Sequence, residues 1–466
     1  MEASPVLADP EEVMNEPAAP GAEARQHALG PVWVRPAAAT VMLVAAAAAI
    51  VVLWNYLQTH GALAAASDSP PIAAVLVLAV VAVMALAVLV FRPERGTLFA
   101  LGVTSAAWSV VLMIALALAW ASIAQSEQQN RWHGMPVVTL AEADVYLADE
   151  LPAGVDPVRS PTGVLVQSIE FLSGDNVQVS GYVWQRYGPG IPEELDRGVV
   201  LPEAVKEAYT ATEVYRYEEN GVETIGWYFA ATLREPFEYA EFPFDQQNLW
   251  LRLWARDFSQ DAVLVPDFSA YLSLDPSALP GMESEFVYTG WTPRYSGFSY
   301  SNQRYDTSFG IGDAGEFQEL PELYFNLILD RNFAGPFFEH VVFAIAVAIL
   351  LFGLLALTTD DESLKGRFQL STAGVLGAAS GLLFAVILKH NQLRGAVGNR
   401  GISYIEGIPI VLYGVIVVVV LNAILLAAPW KPKFVAHRNN LLPVLAYWPV
   451  LLGFLLAVTL WVFFRA

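Results

Sequence analysis

The chain contains no cysteine, and its six histidines, at 27, 60, 133, 340, 390 and 437, follow no metal-ligand spacing. Disulfide frameworks and thiolate metal centres are therefore excluded. Charge is scarce: 15% of residues are charged against 55% hydrophobic, with a mean hydropathy of +0.44, which no ordinary soluble globule carries. Catalytic signatures are missing too, with no H-E-x-x-H, Walker loop or G-x-S-x-G anywhere. Gly310, Gly312 and Gly315 spell G-x-G-x-x-G, but they follow a tyrosine-rich loop and precede Leu320-Pro321, where a dinucleotide site needs a strand before and a helix after. They read as loop. Neither an enzyme, nor a cofactor, nor a nucleic-acid partner is expected.

What the chain has instead is long apolar runs. Seven stretches reach the roughly 20 residues that span a hydrocarbon core of about 30 Å: Ala37–Leu57, Pro71–Phe91, Leu98–Ile123, Phe337–Leu357, Phe368–Leu388, Ile408–Ala428 and Leu441–Phe464. They divide three and four around a polar insert, Ala124–Pro336, long enough for its own domain. The first 36 residues, rich in Ala, Pro and Glu, read as a disordered acidic tail before a retained helix, since a secretory signal needs a basic head. With a cytoplasmic N-terminus, the inner segments carry Arg25, Arg35, Arg92, Arg95, Lys365, Arg367, Lys431, Lys433 and Arg438, and the short outer ones only Lys389, Arg394, Arg400 and Arg465. That bias sets the insert outside the cytoplasm.

The insert holds 33 Asp and Glu against 12 Lys and Arg, a balance of −21 that equals the formal charge of the whole chain. Such acidity either concentrates cations within a Debye length of about 8–10 Å or simply keeps a surface soluble. Period-two alternation runs through Val164–Phe171 and Asn176–Trp184 around the turn Ser173-Gly174-Asp175, and recurs at Thr212–Tyr217, Glu223–Leu233, Asn248–Trp254, Ala262–Val265, Tyr288–Tyr295 and Leu323–Leu329. Many short strands between turns indicate an immunoglobulin-like β-sandwich. Pro202–Tyr209 reads as a short helix.

Two features link the insert to the helices: the turn Phe242-Pro243-Phe244-Asp245, and Arg331 directly before the apolar run that opens at Phe337. With Lys365-Gly366-Arg367-Phe368-Gln369-Leu370-Ser371-Thr372 at the head of the fifth run and Tyr404-Ile405-Glu406 before the sixth, the chain resembles the pentameric ligand-gated ion channels, the Cys-loop receptor superfamily, in its prokaryotic cysteine-free form. The likeness covers roughly the last two-thirds of the chain. It implies a homopentamer in a bacterial inner membrane, with membrane lipid, inorganic ions and a small-molecule or cationic ligand as partners, and with the Asp245–Arg331 pair coupling the sandwich to a pore. Leu376 would then stand at the hydrophobic gate.

Helical periodicity from Gln369 gives Ala373, Leu376, Ser380, Leu383 and Ile387, a stripe of small or polar residues alternating with large apolar ones, as in a wettable pore with constrictions. Gly374, Gly377, Ala378 and Gly381 would face neighbouring helices. The family's aromatic ligand box would fall on Trp291, Tyr295, Phe298, Tyr300 and Tyr305, with Trp250 or Trp254 approaching from the strand after the turn, and would suit an ammonium through cation–π attraction. Departures are clear as well: three helices precede the insert, and the usual prolines of the first pore-domain helix and of the loop Leu388–Ser403 are missing. A basic inner mouth favours anions and an acidic vestibule cations, with the acidic excess leaning to cations. The alternative reading is a non-conducting sensor that signals to a cytoplasmic partner.

Overall fold

The computed structural model describes Ala82 and residues 98–125, 132–151, 157–257, 262–303 without 286, 287 and 289, 305–307, 309–310, 320–359, 371–397 and 401–463. The acidic tail, the first expected membrane run, the second apart from Ala82, and Gln369 lie outside the described residues. Within them, five helices are long and apolar enough to cross a membrane. These are α1 (Leu98–Gln125), α3 (Ala334–Leu357), α4 (Thr372–Val397), α5 (Gly407–Ala427) with the helical turn Tyr404–Glu406 before it, and α6 (Leu441–Phe463). The chain is a membrane protein with a β-rich region.

Between α1 and α3 come β1 (Met135–Val137), α2 (Leu140–Glu150), β2 (Val158–Phe171), β3 (Asn176–Tyr187), β4 (Val199–Val200), β5 (Ala204–Glu219), β6 (Val222–Arg234), β7 (Gln246–Ala255), β8 (Ala262–Pro266), β9 (Trp291–Ser301) and β10 (Glu322–Arg331). They form two five-stranded sheets, β1-β9-β10-β7-β4 and β5-β6-β3-β2-β8. The hairpin read from alternation is β2–β3, where Val164 lies opposite Val183 and Phe171 opposite Val177. Inward side chains of both sheets, Val164, Val179 and Phe229 from one and Leu251, Phe298 and Phe325 from the other, share one core. β10 is buried along nearly its whole length because β9 and β7 flank it and the segment before β1 covers its outer face.

Three expectations change. Pro202–Tyr209 is no helix: Ala204 pairs with Leu233 and Tyr209 with Ala231 across a bulge, because β6 offers an open edge of backbone donors and acceptors. The strand expected at Tyr288–Tyr295 begins at Trp291 and runs on to Ser301, and the helix expected at Phe368–Leu388 continues to Val397. α2 went unread, although Thr139 and Glu142 stand in the T-x-x-E pattern at its start: Glu142 N donates to Thr139 Oγ1 at 3.2 Å, and Glu142 Oε2 accepts from Val138 N, one residue before the cap, at 2.8 Å.

Gly181 in β3 has no room for a side chain: a Cβ would stand 2.0 Å from the Leu165 carbonyl oxygen. Gly181→Ala is expected to lower stability by about 1–3 kcal/mol in denaturant unfolding of the purified protein, as overpacking does. A wild-type midpoint would show that β2 moves aside freely.

Candidate functional site at the junction of sheets and helices

β6 ends at Arg234, and the chain runs from Glu235 to Asp245 before β7 begins. Phe237, Tyr239, Phe242 and Phe244 are all buried along this path. Short backbone bonds, Phe242 N to Tyr239 O at 3.1 Å and Phe244 N to Glu241 O at 2.8 Å, fold it into the tight turn, with a cis bond between Phe242 and Pro243. That turn delivers Asp245 to the last residue of β10. Arg331 Nε donates to Asp245 Oδ1 at 2.6 Å and its Nη2 to Oδ2 at 2.9 Å, while Arg331 N donates to Asp245 O at 3.2 Å. The fork fits the carboxylate in two places, which lysine could not do.

The pair is withdrawn from water. Asp245 is 4% exposed, and the guanidinium lies 4.0 Å from the centre of the Trp291 ring and 4.7 Å from that of Phe242. Gln247 Nε2 adds a third donor to Asp245 Oδ2 at 2.6 Å and also reaches the Glu238 carbonyl at 2.7 Å. Three donors thus converge on the buried carboxylate, the kind of compensation a buried ion pair needs.

Below this pair the turn meets the helices. The Phe244 ring packs 5.3 Å from Phe333, 6.0 Å from Phe337, 6.2 Å from Tyr404 and 5.7 Å from Phe463. Two backbone bonds cross the junction: Tyr404 N donates to Ala240 O at 2.8 Å, and Ile405 N to Phe242 O at 3.3 Å. Residues 401–406, the connection from α4 to α5, are thus an extra partner of the turn.

That connection is itself stiff. Ser403 and Glu406 form a capping box, with Ser403 N donating to Glu406 Oε2 at 2.6 Å. Glu406 is fully buried, and on its other oxygen it meets Arg394 Nε and His390 Nε2, the latter at 3.1 Å. Arg394 Nη1 donates to Gly401 O at 3.0 Å. The last two turns of α4 are therefore bonded to the same short loop that touches Ala240 and Phe242.

On α4, Val375, Ala379, Val386, Leu393 and Val397 are buried against the rest of the chain. The expected pore stripe lies elsewhere on the helix: Ala373, Leu376, Ser380 and Ile387 are exposed, and Leu383 is half-buried. Leu376 keeps 50% of its surface open. A Cβ on Gly377 or Gly381 would meet no atom within 4 Å, so among the described residues no helix packs on those glycines.

The expected aromatic box is dispersed. Trp291 stacks on Arg331 at the membrane end, Phe298 and Tyr300 are core residues, and Tyr295 lies on β9 half-buried. A strand side chain that faces inward is buried whatever its ring chemistry, and Phe298 and Tyr300 do so. Trp250 instead stacks on His133, 4.4 Å between ring centres, with Tyr324 also 4.4 Å from the imidazole. Burial, and then the nearby Arg252 cation, hold His133 below the ordinary histidine range. Only Trp254 and Tyr305 come together, 5.8 Å apart and joined by Phe309, which sequence reading passed over. A cation already belongs to this group: Arg252 lies 5.7 Å over the Trp254 ring, bonds Glu203 at 2.6 Å and donates to Tyr305 Oη at 2.9 Å, while Trp254 Nε1 donates to Glu322 at 2.7 Å.

Other residues that matter here escaped sequence reading. Arg394 was legible only as one of the basic residues of its loop, His390 as a scattered histidine and Glu406 as part of Tyr404-Ile405-Glu406, since nothing in their spacing announces that they meet. Glu235 is 1% exposed, and neither carboxylate oxygen has a hydrogen-bond partner among the described residues.

Removing one partner of the Asp245–Arg331 pair, by Asp245→Asn or Arg331→Gln, is expected to cost about 3–5 kcal/mol in denaturant unfolding, because the other charge is left buried. A loss below about 1 kcal/mol would assign the junction's stability to the rings instead. Glu235 gives a pH signature. Burial first, and the Glu203 carboxylate second, push its pKa up to about 9 from 4.5. Its neutral form is favoured on folding, so its contribution is complete below about 4.5 and is lost as pH rises through about 9. Glu235→Gln is expected to flatten the fall of stability between pH of about 4.5 and about 9, and an unchanged curve would refute this. No protein-family model matches this chain, and no curated protein matches it either.

Proposed function

We propose that the chain is a subunit of a homopentameric ion channel of the prokaryotic pentameric ligand-gated kind, in a bacterial inner membrane. In this reading the N-terminus is cytoplasmic, seven helices cross the bilayer, and the two sheets form an external immunoglobulin-like sandwich that receives a small ligand, an ion or a proton. The gating signal passes through the turn Phe242-Pro243-Phe244-Asp245 to the Tyr404–Glu406 connection, and from there to α4 as the pore helix.

One observation carries the reading: the bonds from Tyr404 N to Ala240 O and from Ile405 N to Phe242 O join the turn of the sheets directly to the loop that ends α4. A second supports it. The stripe Ala373, Leu376, Ser380 and Ile387 lies exposed on α4, away from the buried face of Val375, Ala379 and Val386. Five such faces around an axis would give a pore with an apolar constriction at Leu376 and polar hydroxyls at Ser380. The group of Trp254, Tyr305 and Phe309 supports a ligand site at the connection between β9 and β10, where an incoming cation would compete with Arg252.

The cysteine-free chain allows a direct test in planar bilayers. Single cysteines at Ala373, Leu376 or Ser380 are expected to react with a water-soluble thiol reagent and change the current, and cysteines at Val375 or Ala379 to stay inert. The reversal potential in a salt gradient then gives the selectivity. Silence of the wild type under ligand, divalent-ion and pH steps, together with a particle that is not a pentamer, would refute the channel and favour a sensor that signals to a cytoplasmic partner.

A further inference from the structure

α1 stands outside the plan described above, yet it packs along α6. Leu101, Leu112, Leu116 and Ile123 recur on one face, and Leu112 and Leu116 meet Leu452, Leu455, Leu456 and Leu460. Ser105 Oγ anchors the far end by donating to Leu445 O at 2.5 Å. At the other end α1 reaches the junction itself. Trp120 Nε1 donates to Tyr404 Oη at 2.6 Å, and its ring stands edge-on to Phe337, with centres 4.7 Å apart.

Indole nitrogen only donates, so Tyr404 Oη accepts from Trp120. Thr459 Oγ1 spends its proton on Leu455 O at 2.9 Å, so Tyr404 donates to Thr459 Oγ1 across the 2.8 Å between them. The relay runs from Trp120 on α1 through Tyr404 to Thr459 and Leu455 on α6. Tyr404 is 4% exposed, and its backbone N–H is the group that bonds Ala240 O in the turn. One residue thus joins the sheets by its backbone and α1 and α6 by its side chain.

We propose that Trp120 is a positioning residue for the junction: through Tyr404 Oη it sets the place of the 401–406 connection, so that α1 is a second input to whatever the turn transmits. Its meaning for gating rests on the channel reading. The placement of the connection does not, and the two are separable by experiment.

The test uses the full-length protein in nanodiscs and in bilayers. Trp120→Phe keeps a smaller aromatic ring and removes the donor, and the near-isosteric Thr459→Val removes the far acceptor from the other helix. Hydrogen exchange followed by mass spectrometry on the peptide around 401–408 reads the Tyr404 and Ile405 amides. Loss of one buried hydrogen bond is expected to speed their exchange about five- to tenfold in each variant, while a peptide of β3 exchanges as in the wild type. In bilayers the activation midpoint is expected to shift, with unitary conductance unchanged. Exchange at wild-type rates in Trp120→Phe, in a protein of unchanged thermal midpoint, would overturn the proposal. If Trp120→Phe alone unfolds, Thr459→Val decides by the same criteria. Should the wild type pass no current, the channel reading falls, and the exchange rates still decide the role of Trp120.

Discussion

A carboxylate and a guanidinium shut away from water fix the end of the sheets from which α3 departs. Asp245 directly precedes β7 and Arg331 closes β10, two strands that already pair down to Asp330 opposite Gln246. The ion pair extends that pairing one step further, where the β-ladder stops. Because α3 starts three residues after Arg331, the pair also determines where the first helix of the bundle leaves the sheets. Burial makes such a pair costly unless it is compensated, and here Gln247 adds a donor to the carboxylate while Trp291 and Phe242 present their rings to the guanidinium.

A second buried carboxylate, Glu406, is neutralised on the helix side by Arg394, with His390 beside it. Each region therefore settles its own charges. Among the described residues, what crosses between them includes two backbone hydrogen bonds, the ring contacts of Phe244 and the contact of Phe242 with His340. Interactions of this kind are each worth about 1 kcal/mol and are insensitive to salt. The boundary between the sheets and the helices therefore rests on several modest neutral contacts rather than on one ion pair.

Much of the architecture was legible, for reasons that are physical. Val164–Phe171 and Asn176–Trp184 alternate because one face of each strand meets a core and the other does not. β5 defeated the same logic: as an outer edge strand it is exposed on both faces, so Glu, Ala and Lys sit there without penalty and mimic a helix. α2 was hidden by its 11 residues and polar surface, with only the Thr139 cap and Glu142 three residues on to give it away. Phe242, Phe244, Asp245 and Arg331 could be found from their order in the chain, since a turn and a strand end are local. The aromatic box could not, because tryptophan and tyrosine in a strand look alike whether they fill a core, as Tyr300 does, or stack on a histidine, as Trp250 does. Trp120 and Tyr404, 284 residues apart, meet only through the packing of α1 on α6.

The sheets are suspended from the helices at both ends of their sequence. At one end Arg331 leads into α3 within three residues; at the other, residues 126–131 join α1 to the segment that carries His133 against Trp250 and Tyr324. One ring, Phe244, is the shared boundary at which α3, the 401–406 connection and the last turn of α6 all meet the sheets.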